Sequence, residues 1–133
     1  MTPEDALRLS PYAIMGVIMA ISTYGVIAKP NILKKIIALT ILADTVNTLA
    51  IFIGYRLIEF PWPPVLPSLA PSKELLREFG RRAVDPLPQA LVITAVVINV
   101  AVTALLAFLA IQAYRLYGTL NHDRIARLKG GKA

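Results

Sequence analysis

Five of the polar side chains inside two long apolar runs fall at helical spacing. Thr40, Asp44 and Asn47 interrupt the run from Ile32 to Tyr55, and Asn99 and Thr103 interrupt the run from Leu87 to Tyr117. Thr40, Asp44 and Asn47 are spaced i, i+4, i+7, so a helix places them on one face. Asn99 and Thr103 are four apart and share a face too, whereas Thr94 is turned well away from them. Of the five, only the carboxylate can take up and release a proton or offer a full charge to sodium. The amides and hydroxyls can donate, accept and order water. Two chemistries follow. Asp44 is either a member of a proton or sodium relay, or a structural acid held by a neighbour, with Asn47 or a partner subunit's side chain bonding it. Asn99 and Thr103 suit interhelical hydrogen bonding or the support of a water chain.

The composition says what kind of solvent surrounds these groups. The chain has 133 residues, is 56% hydrophobic and has a mean hydropathy of +0.63. A water-soluble domain of this length buries too little of its surface to hide that much apolar area. There is no cysteine and a single histidine, His122, in a polar tail. Thiolate chemistry is excluded, and no metal site or other cofactor is expected in the chain. The net charge of +6 collects at the ends of the apolar runs and is not interleaved with aromatics, so nucleic acid is not an expected partner. The acidic opening "MTPEDALRLS" is unlike a secretory signal, so the first run reads as a retained span.

The fold expected is an all-α integral membrane protein, one membrane domain of three transmembrane helices at about 12–28, 32–55 and 87–117. Each run reaches or exceeds the roughly 17–25 residues that cross a bilayer. "KPN" between the first two is a tight turn, because Pro30 cannot continue a helix, so these two form a hairpin. Gly16 and Ala20 offer a small-residue line for packing the first helix. A long outer loop, 56–86, opens with prolines around Trp62, a residue suited to the headgroup level. It continues with "SKELLREFGRR", a short amphipathic helix capped by Ser72, with Leu75, Leu76 and Phe79 on one face. Residues 118–133 form a tail. Lys29, Lys34, Lys35, Arg115, Arg124, Arg127, Lys129 and Lys132 lie nearly unopposed in the short turn and tail, which the positive-inside rule makes cytoplasmic. Arg8, Arg56, Lys73, Arg77, Arg81 and Arg82 are interleaved with acids on the other side. The protein is then a multi-pass protein of the plasma membrane with its N-terminus outside.

The third span opens with "DPLPQ". Asp85 can cap the helix, Pro86 suits its first position, and Pro88 falls in the first turn where no backbone donor is needed. With Gln89 these residues form a hard start signal. The longer string "DPLPQALVITAVVI" resembles the third-helix signature of the C subunit of Mrp-type sodium/proton antiporters, a family related to the K subunit of respiratory complex I. "NILKKIIALTILADTVNTLAIF" is similar to the second helix of that family, and the resemblance covers about residues 12–117.

The resemblance implies a small, non-catalytic subunit of a cation- or proton-translocating complex. It would sit in the bilayer beside large antiporter-like subunits and other small Mrp-type subunits. In archaeal membrane-bound hydrogenase-type complexes a cytoplasmic redox module drives the pump. Midplane polar residues would join a lateral hydrophilic axis, with sodium or protons as the transported ions. The complex I relatives carry glutamates where this chain has Thr40 and Asn99, and Asp44 lies one turn after Thr40. The alternative is a bridging subunit of the same complex with Asp44 outside the ion path. An independent small transporter lacks an internal repeat or a second membrane acid. An enzyme lacks a nucleophile–base pair and a phosphate loop. The sequence leaves open a dedicated antiporter or a hydrogenase-type complex, and sodium or protons.

Overall fold

The computed structural model describes residues 3–55 and 60–131. Arg56 and Lys132, which entered the charge pattern, lie outside the described residues, as does the side chain of Arg8. The described chain is helical throughout its ordered elements: α1 Pro3–Ala28, α2 Ile32–Gly54, α3 Lys73–Arg82, α4 Pro86–Tyr117 and α5 His122–Lys129. Three of them, α1, α2 and α4, are long and apolar enough to cross a membrane. This is the expected three-span architecture with a short helix before the last span.

Two boundaries differ from the sequence reading. The helix α1 does not start near residue 12; it continues back to Pro3 and passes through Pro11. Proline at the first position of a helix costs no hydrogen bond. The expected tail contains α5. Asn121 caps it, its Oδ1 accepting from Asp123 N at 3.0 Å and Arg124 N at 3.3 Å, and basic residues fill its last turn.

The spans form a row with α2 in the middle. The extensive interfaces are α1 on α2 and α2 on α4. On one flank, Gly25 of α1 lies so close to α2 that an added Cβ would stand 2.9 Å from the Ala38 Cβ. Met15 and Ser22 are buried on the same side of α1. Gly16, by contrast, has open space where its Cβ would be, so the Gly16–Ala20 line does not make this interface. At the far end the Tyr12 hydroxyl donates to Phe52 O at 2.9 Å, and the two rings meet edge to face at 5.8 Å.

On the other flank α4 runs antiparallel to α2. The Pro88 ring rests on Gly54, where an added Cβ would come within 2.6 Å of Pro88 Cγ. Beside it the Asp85 amide donates to Gly54 O at 3.3 Å. Asp85 caps α4 by accepting from Leu87 N at 2.9 Å, as its sequence position suggested. Ala38 and Gly54 are 16 residues apart, which at about 100° per residue puts them on nearly opposite sides of α2. Two faces of α2 are therefore left open.

The connections are tied down. Trp62 N donates to Arg82 O at 2.9 Å and Val84 N to Trp62 O at 3.1 Å, which fastens the proline-rich segment to the α3–α4 junction. Val84 is buried there, and the Arg82 guanidinium stands 5.8 Å from the Trp62 ring. Ser72 caps α3 by accepting from Leu75 N at 3.2 Å. At the opposite end of the row, Ile32 N donates to Leu120 O at 2.9 Å and His122 N to Pro30 O at 2.8 Å. This antiparallel bridge pairs Asn31 with Asn121. The α1–α2 turn and the α4–α5 turn thus lie at the same end.

Candidate functional site at the middle of the spans

The register set by Gly54 and Pro88 brings the polar residues of α2 and α4 level. Asn99 Nδ2 donates to Asp44 Oδ1 at 2.8 Å. One turn further toward the hairpin, the Thr40 and Thr103 hydroxyl oxygens are 3.3 Å apart. Four residues along α2 are matched by four residues back along α4, so the two pairs are successive rungs of one antiparallel interface. Thr40 Oγ1 also lies 3.0 Å from Ile36 O, to which it donates. A hydroxyl has one proton, so Thr103 is the donor in the Thr40–Thr103 pair.

Asn47, on the next turn of α2, is half-buried and makes no side-chain hydrogen bond among the described residues. The partner of Asp44 is therefore Asn99 of α4 and not Asn47. The physical reason is direction. Asn47 stands on the same helix almost one turn on, whereas Asn99 reaches Asp44 across the gap between two helices. Gln89 of the start signal is half-buried and makes no side-chain hydrogen bond among the described residues either.

Asp44 stands near the middle of α2 and belongs to one of its open faces. It is exposed, as are Ile37, Ile41 and Thr48 beside it. The opposite open face presents Leu39, Val46 and Ile53. A carboxylate facing lipid at that depth costs about 2.5–3.5 kcal/mol on the insertion scale. The apolar face suits lipid, and the Asp44 face needs protein or water over it.

Part of that cover comes from α1. Pro11, Ile14, Met15 and Ile18 of α1, with Ile41, Asp44, Thr45 and Thr48 of α2, line a cavity of about 480 Å³. It is large enough for water, and the carboxylate and Thr48 give it polar points on an apolar wall. Thr45 and Thr48 donate to the carbonyls of Ile41 and Asp44, at 2.7 and 2.8 Å. Their hydroxyl oxygens remain free to accept. Pro11, Thr45 and Thr48 were not marked by the sequence pattern. Thr48 falls four residues after Asp44, a spacing that could have marked it. Only the position of α1 brings Pro11 in.

The fold and site can be set beside known proteins. A family model described as NADH-ubiquinone/plastoquinone oxidoreductase chain 4L matches residues 10–130. An uncharacterised protein of Methanocaldococcus jannaschii is 33% identical over 120 residues, covering 90% of this chain and 88% of that one. The C subunit of the Na(+)/H(+) antiporter of Bacillus subtilis is 31% identical over 115 residues, covering 86% and 88%. A chain in the solved structure of the membrane-bound sulfane sulfur reductase, an archaeal respiratory membrane complex, superposes with a TM-score of 0.70 at 40% identity. That match covers 86% of this chain and 94% of the other.

Proposed function

Because the chain belongs to the NADH-ubiquinone/plastoquinone oxidoreductase chain 4L family, we propose that it is a small membrane subunit of an ion-translocating complex. In that complex Asp44 and Asn99 supply a polar step at the bilayer midplane. The observation that carries this is the 2.8 Å bond from Asn99 Nδ2 to Asp44 Oδ1, made between two spans while the carboxylate still opens onto a cavity. One carboxylate oxygen is held in place. The carboxyl group can still accept a proton or face sodium from the open side. Thr40 and Thr103 extend the polar track by one turn toward the hairpin end.

The chain itself performs no chemical step in this scheme and carries no cofactor; sodium or protons are its cargo. Its partners are the larger subunits that cover the Asp44 face. A respiratory complex is favoured over a dedicated antiporter by the higher identity, 40% against 31%, to the chain of the archaeal respiratory complex. The turn and tail rich in lysine and arginine face the cytoplasm by the positive-inside rule.

Purification of the native assembly through a tag on this chain tests the reading. Large antiporter-like chains with added redox subunits are expected. Large antiporter-like chains alone would make the complex a dedicated antiporter, and recovery of this chain alone would contradict both. Asp44→Asn then separates the two roles within the complex. Intact assembly with stopped transport marks the ion path, and lost assembly marks a bridging acid.

A further inference from the structure

The basic end of the molecule contains a formed concavity with no part in the Asp44 site. Tyr117, Gly118 and Thr119 at the end of α4, with Arg124, Arg127 and Leu128 of α5, enclose about 330 Å³. We propose that it holds the phosphate of an anionic phospholipid from the leaflet at that end.

Three observations support this. The first is charge. Arg124, Arg127 and Leu128 fall on one side of α5, and neither guanidinium has a side-chain partner among the described residues. Residues 118–131 contain a single acid, Asp123, which stands one turn before Arg127 but makes no ion pair with it. Lys29, Lys34 and Lys35 add to the field at the same end. Two guanidinium groups one turn apart can give a phosphate several charge-assisted hydrogen bonds.

The second is depth. The Asn31–Asn121 bridge fixes the start of α5 level with the start of α2. Asp44 stands 12 residues beyond Ile32, or about 18 Å along the helix. With Asp44 near the midplane of a ~30 Å hydrocarbon core, the bridge lies where the headgroups begin.

The third is shape. Gly118 adopts φ +66° and turns the chain back, so α5 is held beside the end of α4. Leu116 and Leu128 are exposed at the rim, at 76% and 54%, and give acyl chains an apolar path along α4. A free anion would have no use for that rim. A juxtamembrane basic cluster of this kind attracts anionic lipid.

The test uses the native assembly in mild detergent, titrated with phosphatidylglycerol and with phosphatidylcholine, and bound lipid read by native mass spectrometry. The variants are Arg124→Gln/Arg127→Gln and, as a control of equal charge at the same end, Lys35→Gln/Lys129→Gln. We expect a preference for phosphatidylglycerol that the arginine pair loses by roughly tenfold more than the lysine pair, because the directed hydrogen bonds go with the charge. Equal losses in the two variants would reduce the effect to a diffuse field and overturn the site. Displacement of the lipid by millimolar inorganic phosphate would make it a free-anion site. Loss of another subunit from the arginine variant would mean that an acidic protein segment occupies it. Either result would overturn the lipid assignment.

Discussion

The ring of Pro88 lies on Gly54, with no room for a β-carbon between them. This contact gives the start signal of α4 its meaning. Asp85 and Pro86 decide where the helix begins, and Pro88 decides which residue of α2 it begins against. Asn99 then falls level with Asp44 and Thr103 with Thr40. The register of the polar site is thus set well away from it, at the end of the span.

Gly54→Ala is expected to destabilise the α2–α4 pair. A rigid ring cannot swing aside as a flexible side chain would, and overpacking of this kind costs about 1–3 kcal/mol. Thermal melting of the assembled complex should show the loss, and Gly54→Ala/Pro88→Ala should recover part of it. No loss in Gly54→Ala would mean that α4 finds its register elsewhere.

Asn99→Ala and Thr103→Val should differ. Removal of Asn99 takes from Asp44 its only side-chain donor among the described residues, and a hydrogen bond of this kind contributes about 0.5–1.5 kcal/mol. Thr40 keeps its own bond to Ile36 O when Thr103 is replaced. That substitution should cost no more than about 0.6 kcal/mol, the average for interhelical bonds in a membrane. Melting of the two variant complexes checks the order.

Asn121→Ala should loosen α5. The cap is worth about 1 kcal/mol, and the same residue forms the bridge to Asn31. Faster trypsin cleavage after Arg124 or Arg127 is expected, with the spans intact. Unchanged cleavage would show that the backbone bridge alone holds the helix.

Single cysteines at Ser68 and Lys129 should react with a membrane-impermeant reagent from opposite sides. The basic turn and α5 share one end of the row, and the loop before α3 lies beyond the other end of α2. Labelling of both from one side would contradict the three-span arrangement.

Much of this architecture can be read from residue types. The apolar runs, the Pro30 turn, the Ser72 cap and the Asp85–Pro86 start each act locally, and each stands where the sequence puts it. The same local signals were present for α5: Asn121, then Asp123, then Arg127, Lys129 and Gly130 in the order that suits a helix. They are masked by the tail's polarity, because eight residues give no apolar periodicity to read. Thr40, Asp44, Asn99 and Thr103 were recognisable as polar groups within the spans. Their pairing was not, since it depends on one contact between residues 34 apart in the chain. Nor could spacing reveal that Gly25, not Gly16, meets α2, because either glycine suits a close helix approach.

The central claim is that the carboxyl group of Asp44 takes part in ion movement. Proton or sodium flux in vesicles carrying the intact complex, normalised to assembled protein, tests it most directly. Asp44→Asn keeps the size of the side chain and can still hydrogen-bond Asn99, but it cannot exchange a proton or carry charge. Flux in Asp44→Asn is expected to fall at least about tenfold, a barrier increase of about 1.4 kcal/mol or more, while Asp44→Glu keeps part of it. Wild-type flux in fully assembled Asp44→Asn complex would contradict the claim and leave Asp44 as an acid that only joins α2 to α4.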